Sequence, residues 1–277
     1  LTWTLTADGT MTISGTGAMK DYDIVDSPAT QKKDNVKKVV IENGITSIGA
    51  YAFYDCSSLT SIEIPEGVTS IGEGAFYDCS SMTSITIPGS VTSIGEGAFQ
   101  GCSILTSITI PGSVTSIGDS AFSGCSSLAN ITIPNNVTSI GKYTFFKCNN
   151  LTSVEIPENV TSIGDGAFAN CDKLTSIEIP SGVTNIGDAT FQDCSGLTSI
   201  EIPSNVESIG ELAFSNCTVL TSITIPKSVT SIGKNAFDGC TDLKEVLLEN
   251  GSTLTSESLG VDASIIKTYW NEGDLTW

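Results

Sequence analysis

The sequence predicts a solenoid, in which short strands and tight corners repeat as stacked coils, and two observations predict it. The nine cysteines recur at every 23rd residue, and eight of the nine prolines, nine phenylalanines and nine glycines keep the same step. No insertion or deletion interrupts the nine complete units that fill residues 36–242. Since so short a unit cannot enclose a core alone, each must bury its apolar side chains against its neighbours. The cysteines are Cys56, Cys79, Cys102, Cys125, Cys148, Cys171, Cys194, Cys217 and Cys240.

Each unit begins with a short strand. In one representative unit, Ile62 and Ile64 alternate with polar neighbours at the two-residue period of a strand. Pro65 lacks an N–H group and therefore ends the hydrogen-bonded segment. Val68 and Ile71 then point inward from a second short extended segment. The unit reads as strand, corner and short strand, with hydrogen bonds running from one unit to the next.

The rest of the unit is predicted to turn back. Gly72 breaks the second segment at a tight or left-handed bend. Ala75 and Phe76 form a small–large apolar pair on a short helical or 3₁₀ turn. The residue before each cysteine is Asp, Asn or Gly in every unit except one, and these types favour turns and left-handed positions. These residues are Asp55, Asp78, Gly101, Gly124, Lys147, Asn170, Asp193, Asn216 and Gly239.

The N-terminal residues 1–35 are predicted to cap the open first coil. Asp8-Gly9 lies between two alternating runs, which is a strong signal for a β-hairpin. The apolar face of this hairpin, in residues 1–19, is expected to cover the first coil. Residues 20–35 are mostly polar and read as a connecting loop with one helical turn. The alternating apolar residues are Trp3, Leu5, Met11 and Ile13.

The coils extend over residues 36–248, as nine full units and one partial unit, and the last segment is 249–277. The repeat pattern is lost after Leu248, so this last segment is interpreted as a C-terminal cap or a linker. Its apolar residues are expected to cover the final coil. They are Leu259, Val261, Ile265, Ile266, Tyr269 and Trp270.

Composition and charge exclude several classes of function. The formal charge is −19, from 12 basic and 31 acidic side chains, and there is no histidine. Histidine catalysis and histidine metal ligation are therefore excluded. A surface this acidic repels polyanions, which argues against a nucleic-acid partner. No run of residues approaches the roughly 18 apolar residues of a membrane span, so no membrane insertion is expected.

The repeated unit Leu-x-x-Ile-x-Ile-Pro-x-x-Val-x-x-Ile-Gly-x-x-Ala-Phe-x-x-Cys resembles the BspA-like leucine-rich repeat, also called the Treponema pallidum type. The segment from Trp3 to Met19 is similar to the one that often precedes these repeats. The resemblance implies a curved, right-handed leucine-rich-repeat solenoid with its Ile-x-Ile strands on the concave side. It also implies a secreted or cell-surface protein, and many family members are considered adhesins.

The cysteines allow three interpretations. Disulfides could form in a secreted protein, but nine is an odd number, so not every cysteine pairs within the chain. A metal site needs clustered thiolates, and no C-x-x-C occurs. We therefore predict no metal site and a structural ladder of small buried thiols, one per unit. Pairing between thiols of adjacent units stays open at this stage.

Exposed glutamates form the first candidate binding surface. The outward column of the first strand carries Glu63, Glu155, Glu178 and Glu201, and the last three occupy consecutive units. Such a column suits a cationic partner surface or divalent ions, and it is equally explained as a solubilising face. No catalytic residue is predicted, because a regular ladder repeats one environment whereas paired catalytic carboxylates need two different ones.

Aromatic departures from the repeat form the second candidate surface. Tyr143 replaces a small residue two positions before the repeated phenylalanine, and Phe146 lies close by, with two lysines flanking them. Tyr51, Tyr54 and Tyr77 add aromatics near the N-terminal end. Exposed aromatic side chains are frequent binding hot spots, so Tyr143 and Phe146 are candidate contacts. Chance substitutions on a tolerant face are the alternative explanation.

Together these features predict a non-catalytic, surface-exposed binding scaffold. We expect a monomer without a cofactor, which binds extracellular or host proteins, or a glycan, through its concave sheet. A structural spacer that displays other modules is the first alternative, since near-identical units leave little room for a unique site. An enzyme is a distant alternative, because no activating base is present for a nucleophile.

Overall fold

The computed structural model describes residues 1–270 and shows a right-handed solenoid of about ten turns with almost no helix. The predicted solenoid is thus confirmed. We call each 23-residue unit a rung. Every strand inside the repeat pairs in parallel with its counterpart in a neighbouring rung. Corresponding residues are 23 positions apart, as in the pairing of Ile62 with Val39.

The first sheet is built from the Ile-x-Ile strands. The N-terminal strands are β1 (Thr2–Leu5) and β2 (Thr10–Ser14), which join this sheet, and β3 (Gly17–Ala18), which joins the second. The other strands of the first sheet are β4 (Lys38–Ile41), β6 (Ser61–Glu63), β8 (Ser84–Thr86), β10 (Ser107–Thr109), β12 (Asn130–Thr132), β14 (Ser153–Glu155), β18 (Ser222–Ile225), β20 (Glu245–Glu249) and β21 (Ile266–Tyr269). Hydrogen bonds join them in the groups β1-β2-β4-β6, β8-β10, β12-β14 and β18-β20-β21.

The second sheet is more continuous. Its strands are β5 (Ile45–Ile48), β7 (Ser70–Ile71), β9 (Ser93–Ile94), β11 (Ser116–Ile117), β13 (Ser139–Ile140), β15 (Ser162–Ile163), β16 (Asn185–Ile186), β17 (Ser208–Ile209) and β19 (Ser231–Ile232). Each forms part of one of two five-stranded ladders, β3-β5-β7-β9-β11 and β13-β15-β16-β17-β19.

A column of threonines explains the regular spacing of the second sheet. The Thr69 N–H donates to the Thr46 carbonyl at 2.8 Å, and the Thr69 hydroxyl donates to the same oxygen at 3.1 Å. Thr92 repeats both bonds to the Thr69 carbonyl. The exposed threonine therefore satisfies a carbonyl of the preceding rung twice, which accounts for its recurrence in the sequence.

The turn segments form a third column of bonds between rungs. Ala75 and Phe76 lie on single turns closed by i→i+3 hydrogen bonds, the pattern of a 3₁₀ turn, as predicted. The Phe76 N–H donates forward to the Ala98 carbonyl at 2.8 Å, whereas threonine N–H groups donate backward. Each rung is thus bonded to both neighbours, and the backbone polar groups of the turns do not depend on solvent alone.

The repeated phenylalanines form the centre of the core. Eight consecutive pairs stack with ring centroids 5.3–5.7 Å apart and interplanar angles of 3–12°. The rings from Phe53 to Phe214 are fully buried. Burial of a side chain of this size stabilises the folded state by about 1.5–3 kcal/mol, so this column is a major part of the hydrophobic core.

The thiols lie beside this column. The nine cysteines are all free; eight are fully buried and Cys240 is partly buried. The Cys79 thiol donates to the Phe53 carbonyl of the preceding rung at 3.2 Å, and the same bond recurs up to Cys240. Burial raises the pKa of the Cys79 and Cys102 thiols well above the usual range. These cysteines therefore act as small core side chains that complete the bonding of a buried carbonyl.

The glycine that ends the second strand is required by close packing and not by a left-handed backbone. A Cβ on Gly72 would lie 2.6 Å from the Ala50 nitrogen of the preceding rung. The left-handed position is two residues later, at Gly74, whose φ is +52°. The second predicted left-handed position, immediately before cysteine, is confirmed at Asp55 and Asp78.

The predicted N-terminal hairpin is present and joins the first sheet. β1 and β2 are antiparallel, and β2 pairs in parallel with β4, so Met11 and Ile13 extend the buried core. The ring of Trp3 lies 5.8 Å from that of Phe53 and closes the phenylalanine column. The loop that follows contains one 3₁₀ turn, Thr30–Lys32.

The C-terminal segment adds a last strand to the first sheet. β21 pairs in parallel with β20, and a short helix α1 (Ser256–Leu259) buries Leu259. A 3₁₀ turn spans Ala263–Ile265. The expectation that Trp270 covers the last rung is wrong, since its side chain is 58% exposed and follows the end of β21. Residues 271–277 of the predicted cap lie outside the described part of the chain.

Candidate binding surface

The outward residues of the first strands form an exposed surface, which we call the strand face. Ile62 is buried, and its neighbours Ser61 and Glu63 are exposed, because successive side chains of a strand point to opposite sides. The same alternation exposes the other three candidate glutamates, Glu155, Glu178 and Glu201. The structure therefore gives all four predicted residues access to a partner.

Glu63 is separated from the other three glutamates. It precedes Glu155 by 92 residues, which is four rungs of 23. Its carboxylate also forms an ion pair with Lys38, at 2.5 Å. Glu63 therefore belongs to a locally neutralised part of the strand face, and a cationic partner would have to compete with Lys38 for it.

Glu155, Glu178 and Glu201 occupy consecutive rungs without a basic neighbour. Within residues 1–270, no ion pair involves any of the three. The Thr132 hydroxyl donates to the Glu155 carboxylate at 3.4 Å. Carboxylates one rung apart repel each other by about 0.8 kcal/mol in water at about 5 Å, so a cation that bridges them is favoured.

A shallow groove joins two of these glutamates to a third carboxylate. Glu178 and Glu201 line it together with Glu158, Ser181 and Ser204, and its volume is about 280 Å³. Sequence reasoning missed Glu158. The available signal was its place directly after Pro157, in the corner that follows the strand of Glu155.

The aromatic pair lies in the turn segment and not on the strand face. Tyr143 is 45% exposed, and its ring meets the edge of Phe146 at a centroid distance of 5.8 Å. The Lys147 ammonium lies 5.1 Å from the centre of the Phe146 ring. Lys142 forms an ion pair with Asp165 at 2.8 Å. The structure brings Tyr143 and Phe146 together, but it places them in a different segment from the glutamates.

A second aromatic group surrounds a recess near the N-terminus, which we call the tyrosine groove. Its volume is about 230 Å³. Its three tyrosines stand out as aromatic departures from the repeat, whereas Ile24 belongs to the connecting loop and carries no repeat signal. It is lined by Ile24, Tyr51, Tyr54, Glu73, Gly74, Tyr77, Glu96, Gly97 and Gln100.

The described residues offer no site for a metal ion, as no group of three or more histidine, cysteine or acidic side chains converges in residues 1–270. The helices of this part of the chain are too short and too polar to cross a membrane. Burial raises the pKa of Cys56 to about 12, so its thiol is a poor nucleophile near neutral pH. The surface chemistry is thus that of contacts: carboxylates, hydroxyls and aromatic rings.

Comparison with known proteins identifies the repeat. The BspA type leucine-rich repeat region, in six copies, matches residues 24–151 and 138–259. The chain belongs to the BspA-type leucine-rich repeat family. In leucine-rich repeats the strand of each unit lines a horseshoe.

Solved structures of leucine-rich repeat proteins are similar to this chain, and two of them share its fold. The T. pallidum leucine-rich repeat protein is 28% identical over 87% of each chain, with a TM-score of 0.54. A leucine-rich repeat protein from Eubacterium ventriosum is 27% identical over 90% of this chain and 76% of its own, with a TM-score of 0.53. A leucine-rich cell surface protein from Faecalibacterium prausnitzii is 27% identical over 95% of each chain, with a TM-score of 0.46. A search of curated proteins gave no match.

Proposed function

We propose that the protein is a non-catalytic scaffold, secreted or displayed at the cell surface, that binds a partner protein through its strand face. Membership of the BspA-type family supports protein binding as the general role. The observation that carries the proposal is the run of Glu155, Glu178 and Glu201 on consecutive rungs, exposed and without a basic partner in the described residues.

The chemistry of this run favours a partner with a basic surface. Three carboxylates aligned along the solenoid attract cations and repel acidic proteins and nucleic acids. The serines and threonines beside them are small enough to let a partner's backbone or side chains approach closely. Extracellular or host proteins are the proposed class of partner, and the protein binds them as a monomer.

Binding to purified matrix proteins and mucin tests this proposal. Replacement of Glu155, Glu178 and Glu201 by glutamine should weaken saturable binding about tenfold or more, because each loses a charge-assisted contact. A variant with glutamine at Glu207 and Glu211 and asparagine at Asp242 loses the same charge elsewhere and should bind normally. Equal losses in both variants would show that only net charge matters.

A structural spacer remains the second candidate function. The observation that favours it is the near-identity of the rungs, since the outward column repeats threonine at Thr86, Thr109 and Thr132. A spacer would show no saturable binding to any protein or glycan of the panel. If binding of mucin persists after its polypeptide is digested but is lost after its sugars are removed, a glycan is favoured as the ligand.

A further inference from the structure

The tyrosine groove is an ordered recess whose aromatic walls hold one another in place. The rings of Tyr54 and Tyr77 stack at a centroid distance of 5.0 Å, and the ring of Tyr51 meets that of Tyr54 edge-on at 6.0 Å. The exposed side chain of Ile24 adds an apolar border from the N-terminal loop. The walls thus come from three different segments of the chain.

Two polar contacts fix the rim of this groove. The Tyr51 hydroxyl donates to the Glu73 carboxylate, and the Gln100 amide donates to the Tyr77 hydroxyl at 3.4 Å. Glu96, which is exposed, supplies a second carboxylate to the lining. A ligand would therefore meet groups that are already positioned, which lowers the entropy cost of binding.

Tyr51 occupies a backbone position that suits glycine. Its φ is +53°, and the equivalent residues of several other rungs are glycines. A left-handed backbone is unfavourable for any ordinary residue other than glycine. The ring is accommodated because Gly74, one rung further on, has no Cβ, which would lie 2.5 Å from the ring. A partly exposed tyrosine is thus kept where glycine would fit the backbone more easily.

The charge and size of the groove select a cation with a flat or apolar body. The lining contains two carboxylates and no basic residue. Tyrosine faces attract cations through the ring quadrupole, and a guanidinium both stacks on an aromatic ring and pairs with a carboxylate. The volume of about 230 Å³ is below the range of about 300–1,000 Å³ typical for drug-sized ligands and suits one side chain.

We propose that the tyrosine groove is a second binding site, separate from the strand face, and that it takes an arginine side chain of a partner protein. The guanidinium stacks on the tyrosine rings while Glu73 and Glu96 accept its N–H groups. The proposal does not depend on the glutamates of the strand face, so either proposal can fail alone.

Titration with N-acetyl-arginine amide tests the site directly. The protein is labelled with ¹³C in its six tyrosines, and the ring signals are followed by NMR. We expect saturable shifts in the signals of Tyr51, Tyr54 and Tyr77. The signals of the remaining tyrosines, Tyr22, Tyr143 and Tyr269, should stay in place and serve as internal controls.

Two pairs of matched variants separate binding from folding. Tyr51→Gly removes a wall while restoring the residue that the backbone prefers, so the protein stays folded and the affinity falls about fivefold or more. Tyr143→Gly makes the same change at a distant rung and should leave the affinity unchanged. Glu73→Gln combined with Glu96→Gln should weaken binding similarly, whereas Glu207→Gln with Glu211→Gln, which removes the same charge from exposed positions, should not.

Three results would overturn the proposal. Binding of N-acetyl-lysine amide as tight as that of the arginine amide would refute the guanidinium assignment. Methyl glucoside could shift the three tyrosine signals while the arginine amide does not, which would make the groove a sugar site. Shifts that are linear in concentration and spread over all six tyrosines would show that there is no site.

Discussion

The ring of Tyr143 covers Gly166, the residue at the equivalent position of the next rung. A Cβ on Gly166 would lie 2.4 Å from Cε1 of that ring. Gly166 also has a φ of +59°, so two independent features require glycine there. The same arrangement joins Tyr51 to Gly74, which shows that a large residue at this left-handed position is tolerated when its successor is glycine.

Gly166→Ala should therefore destabilise the protein by about 2 kcal/mol, from backbone strain and displacement of the tyrosine ring together. In a Tyr143→Gly background only the strain remains, and the cost should fall to about 1 kcal/mol. Denaturant unfolding of the unchanged protein, the two single variants and the double variant measures both values. Gly124→Ala, with a φ of +73° and no neighbour closer than 3.5 Å, is the control for strain alone. If it costs as much as Gly166→Ala, the ring contact is irrelevant.

These left-handed positions mark how far the sequence could predict the fold. The 23-residue step predicted the rungs, the strands and the bend before each cysteine, because a strict period reports which residues stack. It could not predict the left-handed backbone at Tyr143, since tyrosine does not favour a positive φ. The same holds for Tyr51 and Leu212, which occupy the equivalent position in other rungs. Hydrogen bonds between rungs, such as that from the Tyr143 N–H to the Asp165 carbonyl at 2.9 Å, impose it.

Glycines of one rung should differ sharply in their tolerance of alanine. A Cβ on Gly118 would lie 2.4 Å from the Glu96 nitrogen of the preceding rung, whereas one on Gly112 would meet nothing within 4 Å. We expect Gly118→Ala to cost about 3 kcal/mol, because two backbones must separate. Gly112→Ala should be neutral or stabilising by about 0.5 kcal/mol, since alanine restricts the unfolded chain. Similar unfolding midpoints for both variants would contradict the close packing of the rungs.

The cysteines should differ in their reactivity towards a thiol reagent such as DTNB. Eight are fully buried and Cys240 alone is partly exposed, because the rung that follows it departs from the repeat. In the native protein one thiol should react quickly, and Cys240→Ser should abolish that phase. All nine should react in denaturant. A fast phase of several thiols would show that the buried column is open to solvent.

The binding surfaces could be predicted only where they follow the repeat. Alternation along the strand located Glu155, Glu178 and Glu201, since a two-residue period determines which side chains face outward. The tyrosine groove depends on Ile24, which precedes the first rung, and on pairing of side chains across rungs. No local pattern encodes those contacts, so only the three-dimensional stacking could assemble that site.

Alkaline pH should unfold the protein cooperatively. Burial raises the pKa of the thiols, to about 12 for Cys56 and Cys194 and well above the usual range for the five cysteines between them. The folded state thus holds thiol protons that the unfolded state releases at about pH 9. The stabilisation is complete below that pH and is lost as pH rises towards the folded pKa values.

Each buried thiol should therefore lower the free energy of unfolding by about 1.4 kcal/mol per pH unit above pH 9, or about 10 kcal/mol per unit for seven thiols. Urea unfolding at several pH values between about 8 and 10 measures the slope. Lysines and tyrosines also titrate in this range, so the test is a comparison of variants. Cys102→Ala with Cys125→Ala should reduce the slope by about 2.7 kcal/mol per unit, whatever its effect at neutral pH. An unchanged slope would mean that these thiols ionise as readily in the folded protein as in the unfolded chain.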